Sequence, residues 1–248
     1  MKHKCHHIIA TSVCGALHKA KDIPCQDYYC TRCSGNKIVA TVSDGAGSAK
    51  YGKIGAKIIC ETFCDILINS NIKNIKKDVV RAVNAAREKL MFHRFNRSKS
   101  EEELINFSAT VIGTFYCNGK GVFFHIGDGA GIAFSQGQYD NFVISEPENG
   151  AYACETYFYT MPDWKSSLRF TSYDNTNRIV LMTDGVTGFV FADDYSKIRQ
   201  NFLIPIAEYL DNEKNKKKAI NALYNTLDDN KAQRINPDDK TILWIKLQ

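Results

Sequence analysis

No stretch of this sequence approaches the roughly 20 apolar residues needed to cross a bilayer, so no membrane partner is expected. The opening MKHKCHHIIATSVC lacks the apolar core of a secretory signal. Nine cysteines, an odd number, then predict reduced thiols and a cytoplasmic location rather than a disulfide framework. Cys30-x-x-Cys33 has no second pair at zinc-finger spacing, which argues against structural zinc. His3, Cys5, His6 and His7 in KHKCHHI could catch a stray metal but read as an incidental strand start. There is no G-x-x-x-x-G-K-[ST] phosphate loop, no H-E-x-x-H and no G-x-S-x-G. No cysteine sits in a phosphate-cradling loop. No Pro/Gly/Ser-rich linker or internal repeat divides the 248 residues, so one domain over 1–248 is expected.

The net charge of +5 is mild, and its lysines concentrate in NIKNIKKDVVR and NEKNKKKAI. Both read as solvated helix faces without a basic stripe of interleaved aromatics, so nucleic acid is not an expected partner. A hydrophobic content of 44% suits a globular chain, and one this long hides roughly 70–75% of its unfolded surface.

Strands are expected at Ile8–Val13, Asp27–Arg32 and Lys37–Ser43. Two helices follow, with apolar faces Ile54, Ile58, Phe63, Ile66, Leu67 and Ile75, Val79, Val83, Ala86, Leu90. In FSATVIGTFYC, residues Phe107, Ala109, Val111, Phe115 and Cys117 share one side, NGKG turns, and VFFHIG returns antiparallel. AGIAFS, NFVIS and TYFYT read as short strands, RIVLMT as a strand buried on both faces, and DKTILWIKL as the closing strand. Helices are expected at about Tyr195–Leu210 and Lys214–Leu227. Strands and helices in separate blocks argue an α+β layered domain.

Three of these strands end on an acid followed by glycine: Asp44-Gly45, Asp128-Gly129 and Asp184-Gly185. A single pair reads as a tight turn, because both residues tolerate positive φ. Adding Asp27 from CQDYY and Asp238-Asp239 from NPDDKT puts acids at strand mouths along the whole chain. Hard cations such as Mg²⁺ and Mn²⁺ take oxygen ligands, and a pair of them can activate water and clamp a phosphoryl group.

The motifs DIPCQDYY, VSDGAGSA, HIGDGAG, AYACETYF, MTDGVTG and PDDKT, in that order, carry a resemblance. The sequence resembles the type 2C, metal-dependent serine/threonine protein phosphatases, in particular their compact bacterial branch. The likeness runs from about residue 9 to 247. It implies a four-layer αββα sandwich: two central antiparallel β-sheets flanked by helices, with a dinuclear Mg²⁺ or Mn²⁺ centre at one sheet end. Asp44 would bridge both ions and the Gly45 carbonyl would bind one. Asp184 and Asp238 would ligate the other, and Asp27 would hydrogen-bond metal waters. Asp128, with Asp184, would hold a weaker third ion. Asp239 stands where many relatives have asparagine, which favours Asp238 as ligand.

The likeness implies hydrolysis of phosphoserine or phosphothreonine in proteins by a monomer, with a serine/threonine kinase as a partner by analogy. A non-catalytic phospho-binding relative and a small-molecule phosphomonoesterase are the alternatives. The chain departs from the larger family at Ala46, where some members have a general-acid histidine, and at Gln26, where animal members have a metal-binding glutamate. It also lacks the early arginine that grips phosphate. His18, His125 and Lys50 are candidates to compensate, each read first as structural or exposed.

Overall fold

The computed structural model describes residues 7–135, 139–148, 156–192 and 195–247. The first half contains β1 (His7–Val13), α1 (Ala16–Lys19), β2 (Tyr28–Ser34), β3 (Lys37–Ser43), α2 (Gly52–Leu67), α3 (Ile75–Met91), a 3₁₀ turn at Glu102–Phe107, β4 (Val111–Cys117) and β5 (Lys120–Ile126). The second half contains β6 (Ala130–Ser135), β7 (Phe142–Ser145), β8 (Arg169–Asp174), β9 (Thr176–Met182), α4 (Asp184–Val190), α5 (Gln200–Asn212), α6 (Lys216–Asp228), α7 (Asn230–Ile235) and β10 (Lys240–Lys246).

The strands form two five-stranded antiparallel sheets, ordered β1-β10-β9-β6-β7 and β2-β3-β4-β5-β8. Period-two alternation divides their side chains between three buried clusters. On β9, Ile179 and Leu181 meet Ile38, Ala40, Val42 and Phe123 of the other sheet in the central layer. Val180 and Met182 turn the opposite way, toward Val186, Leu203 and Leu223 of α4, α5 and α6. On the other outer face, Val39, Phe115 and Phe124 pack under α2 and α3. Phe63 of α2 stacks on Phe124 with ring centroids 4.7 Å apart. Burying a side chain of that size stabilises by roughly 1.5–3 kcal/mol. The expected helix–sheet–sheet–helix sandwich is what the chain forms.

Four sequence expectations need correction. TYFYT is no strand: the Tyr159 N–H bonds the Ala109 carbonyl, and the Met161 N–H turns back to Phe158. Phe107 and Ala109 reach the same cluster as Val111 and Phe115, but from a 3₁₀ turn and an isolated bridge, since β4 begins only at Val111. The helix expected from Tyr195 begins at Gln200, because Tyr195 has φ 55° and Ile198 is paired with Phe191. Finally, β8 was not expected; it is an edge strand whose only fully buried residue is Tyr173.

Register gathers the acids at one edge. Tyr28 pairs with Ser43, so Asp27 and Asp44 leave β2 and β3 side by side. Val111 pairs with Ile126, bringing the β5 exit to that edge. Met182 pairs with both Ile242 and Ala130, which sets Asp184 beside the entries of β10 and β6. β5 and β6 belong to different sheets, so Gly127–Gly129 is a crossover between the layers rather than a hairpin.

Candidate active site

Asp44, Asp128 and Asp184 line a cleft of about 470 Å³ at this edge. Ala46, Gly47 and Ser48 form one wall, and Thr156–Phe158 with Met161 form another. Main-chain bonds hold the Asp44 wall: Thr110 N–H donates to the Asp44 carbonyl (2.9 Å), and Ala46 N–H donates to the Ser108 carbonyl (2.9 Å). The Thr110 hydroxyl accepts the Asp44 N–H at 3.1 Å.

None of the three Asp-Gly steps is a left-handed turn; among the described glycines only Gly35, Gly119 and Gly127 have positive φ. Each glycine instead permits a backbone to come close. A Cβ on Gly45 would lie 2.4 Å from the Gly52 carbonyl carbon, and one on Gly185 would lie 1.8 Å from the Asp239 carbonyl oxygen. On Gly129 it would meet the Met182 oxygen at 2.7 Å. The turn reading of these pairs is therefore wrong for this chain.

Asp27 is buried behind the cleft, 4% exposed. Its Oδ2 accepts from the Thr183 hydroxyl at 2.8 Å, while its Oδ1 has no partner. Asp128 is held in the same manner, with Thr156 donating to Oδ2 at 2.6 Å and Oδ1 unpartnered. Asp184 Oδ1 accepts the Gly185 N–H at 2.8 Å, and Asp238 Oδ1 accepts the Asp239 N–H at 2.8 Å.

These carboxylates penalise one another. Burial, and then the charges of Asp27, Asp238 and Asp128, hold Asp44 well above the usual carboxylate range. Burial, and then Asp44, Asp128 and Asp238, do the same to Asp184. Burial also raises Asp128, with Asp238 adding to the effect. Asp27 is pushed up to about 7, chiefly by burial and against the hydrogen bonds that favour its charge. Asp238 does not line the cleft, yet its charge is felt by Asp44, Asp128 and Asp184.

Asp239 differs in kind. It is 1% exposed. Its Oδ1 accepts the Gly15 N–H (2.7 Å), and its Oδ2 accepts the Gln26 N–H (2.6 Å) and faces His18 Nδ1 (2.9 Å). These three partners leave it little capacity for a cation. The Gln26 amide, turned with its NH₂ toward the loop, donates to the Gly45 and Ala46 carbonyls at 3.1 and 3.3 Å. Gln26 thus steadies the Gly45 carbonyl.

His125 is fully buried, its Nδ1 3.1 Å from the Ser145 hydroxyl, with its charged form strongly disfavoured by burial and by Arg169. Lys50 is exposed and lies 5.3 Å from the Tyr51 ring centroid. Neither lines the cleft. His3, Cys5 and His6 lie outside the described residues, as do residues 149–155 of ENGAYACETYF. Cys30 is buried and Cys33 exposed, on opposite faces of β2.

As placed, no group of three or more His, Cys, Asp or Glu side chains among the described residues closes around an ion. Mg²⁺ keeps several waters and needs only one or two carboxylates, so a closed cage is not required. Hard oxygen donors, two buried oxygens without partners and mutually repelling charges suit such a cation. The residues fit the group.

Sequence reading missed Thr110, Thr156 and Thr183, although Thr156 and Thr183 stand inside the quoted motifs ETYF and MTDG. A hydroxyl that aims a carboxylate leaves no periodic signal.

A family model described as protein phosphatase 2C matches residues 14–233. The serine/threonine phosphatase of S. agalactiae is 12% identical and aligns over 98% of this chain and 100% of its own, with a TM-score of 0.66. Stp1 from Staphylococcus aureus is also 12% identical, over 98% and 96%, with a TM-score of 0.67. The catalytic domain of PstP, solved in complex with two manganese ions, is 14% identical over 98% of both chains, with a TM-score of 0.64. Likeness at that identity speaks to the fold alone, and no curated protein sequence matches. The match over residues 14–233 settles membership: the chain belongs to the protein phosphatase 2C family, hydrolases that act on phosphomonoesters.

Proposed function

We propose that this chain, read as one domain, is a cytoplasmic, metal-dependent protein phosphatase that hydrolyses phosphoserine and phosphothreonine. The observation that carries the reading is the gathering of Asp27, Asp44, Asp128, Asp184 and Asp238 from five separate segments at one sheet edge, where burial and neighbouring carboxylates raise the cost of charge on Asp44, Asp128 and Asp184. A fold tolerates that arrangement when cations complete it.

Asp44 and the Gly45 carbonyl would hold ions on the loop side, Asp184 and Asp238 on the other, and Asp128 with Asp184 a third, weaker one. Bound Mg²⁺ or Mn²⁺ would supply a water of lowered pKa and offset the charge that develops on the phosphoryl oxygens. The chain's own groups prepare that chemistry. Thr183 and Thr156 each hold one oxygen of Asp27 and Asp128, which leaves Oδ1 of both free to accept from coordinated water. Gln26 fixes the carbonyl edge of the loop. PstP's two manganese ions support a pair of ions here. Family members act on phosphorylated proteins, and a serine/threonine kinase would supply such a substrate.

The test is phosphate release from a phosphothreonine peptide with Mn²⁺, repeated with chelator and with a small aryl phosphate. Chelator-sensitive release from the peptide is expected. Release from the aryl phosphate alone would favour a small-molecule esterase, and binding without turnover a phospho-binding relative.

A further inference from the structure

Three cysteines that the cleft does not use meet between β2 and α2. Cys30, Cys60 and Cys64 share one buried cluster, and none of them is in a disulfide. Cys60 and Cys64 stand four residues apart on α2, so they face the sheet together. β2 is the edge strand of its sheet, and its Tyr28, Cys30 and Arg32 alternate onto the face that α2 covers. The Tyr28 hydroxyl donates to Glu61 (3.0 Å), and Arg32 Nη2 pairs with Asp65 (3.3 Å). Cys30 lies between those two anchors, and the register sets it opposite Thr41. The Thr41 hydroxyl is 3.4 Å from the Cys30 carbonyl and 3.7 Å from Cys64 Sγ, which puts the Cys64 sulfur over this cross-strand pair. The Cys64 thiol has one other long contact, to the Val39 carbonyl at 3.9 Å, and it also donates to the Cys30 sulfur. Cys60 is turned aside, its thiol donating to the Tyr28 carbonyl at 3.6 Å.

The three sulfurs are not equivalent. Cys30 is 8% exposed where Cys60 and Cys64 are 0%, so a small oxidant meets Cys30 first. Arg32 Nη1 donates to Cys30 Sγ at 3.4 Å, and Asp65 holds the guanidinium in place. The Cys64 contact, and then the Arg32 charge, lower the Cys30 thiol against its burial, whereas burial raises Cys60 and Cys64. A thiolate beside a fixed cation is the nucleophilic form of cysteine. Among the described residues, no metal-holding group of three includes these thiols, which leaves sulfur oxidation as their chemistry. We infer that Cys30 and Cys64 form a peroxide-reactive pair that closes a reversible disulfide between β2 and α2. The Cys30 sulfur attacks a peroxide oxygen: the S–O bond forms, the O–O bond breaks, and hydroxide leaves and takes up the proton that the thiol gave to solvent. The Cys64 sulfur then attacks the Cys30 sulfenic acid: the S–S bond forms, the S–O bond breaks, and the Cys64 proton departs with the oxygen as water. Both thiols are oxidised and hydrogen peroxide is reduced to water. A dithiol reverses the bond by exchange, as suits a transient disulfide in a reducing compartment. The inference does not depend on the phosphatase reading.

The test uses the reduced full chain and hydrogen peroxide. Remaining thiols are blocked under denaturing conditions, and peptides are mapped by mass spectrometry with and without dithiothreitol. A Cys30–Cys64 linked pair that dithiothreitol separates is expected. A bridge joining other cysteines, or no bridge at a dose that oxidises the exposed Cys33, would overturn the inference. That readout needs no variant to fold. Cys64→Ser should then halt the reaction at a Cys30 sulfenic acid that dimedone captures, while Cys60→Ser should still form the bridge. A Cys64→Ser protein in which Cys30 takes no dimedone would mean that Cys30 is not the attacking sulfur. Arg32→Gln should slow bridge formation about threefold or more. An unchanged rate would remove the guanidinium from the site.

Discussion

The Thr183 hydroxyl donates to Asp27 Oδ2 at 2.8 Å and accepts the Thr241 N–H at 2.9 Å. One oxygen atom therefore ties an acid from the second sheet to β9 and β10 of the first. Thr183→Val should remove the donor from a buried carboxylate and leave the Thr241 N–H unpaired. A loss of about 1–3 kcal/mol in urea unfolding is expected, with Thr183→Ser near wild type. If Thr183→Val unfolds like wild type, the hydroxyl is not what holds Asp27.

Stability of the metal-free protein should depend on pH in an unusual sense. Asp27 is raised from 3.8 in the unfolded chain to about 7 in the fold, and Asp44, Asp128 and Asp184 also move upward. Between about pH 4 and 7 the native state then holds more protons than the unfolded one, so stability falls as pH rises through that window. The melting temperature in chelator should be higher at pH 5 than at pH 7.5. Mg²⁺ or Mn²⁺ at 100 times its dissociation constant should return about 2.7 kcal/mol at the higher pH. A flat profile without metal would mean that the carboxylates are better solvated than described.

Asp44→Asn and Asp184→Asn separate stability from activity. Each removes one of the mutually repelling charges, so the metal-free variants should melt at or above the wild-type temperature at pH 7.5. Activity should nevertheless fall by orders of magnitude, because asparagine is a poorer partner for a hard cation. Rates near wild type would remove the residue from the site.

Asp128→Asn should leave the fold intact, since the Thr156 hydroxyl can still donate to the amide oxygen. With the turn explanation gone, any effect is on charge. Lower turnover and a higher Mn²⁺ requirement are expected, measured by titrating Mn²⁺ against peptide hydrolysis. Unchanged turnover and metal dependence would exclude a metal role for Asp128.

Strands buried by alternation were the easiest part to read. Lys37–Ser43 has the bounds of β3, and RIVLMT splits its residues between two cores as a doubly buried strand must. β8 escaped because RFTSYD is an edge strand with one fully buried side chain, and TYFYT misled because aromatic content imitates a strand where the backbone actually turns. At the site, the acids were legible through ordered motifs, while their supports were not. Asp239 meets Gln26 and His18 across 213 and 221 residues of sequence, and no local pattern records a contact that only the closed fold creates.

β10 is an interior strand of its sheet, lying between β1 and β9, and its register joins His7 to Lys246. Synthesis runs in the opposite order to this dependence. A growing chain that stops before residue 240 has two unpaired strand edges where β10 belongs, and one that stops before residue 238 also lacks Asp238 and Asp239. Pairings this distant in sequence close slowly. Until Asp238 to Lys246 have emerged and paired, a nascent chain therefore has neither a finished sheet nor its full set of acids at the cleft, so closing this sheet and gathering the acids are one and the same late event.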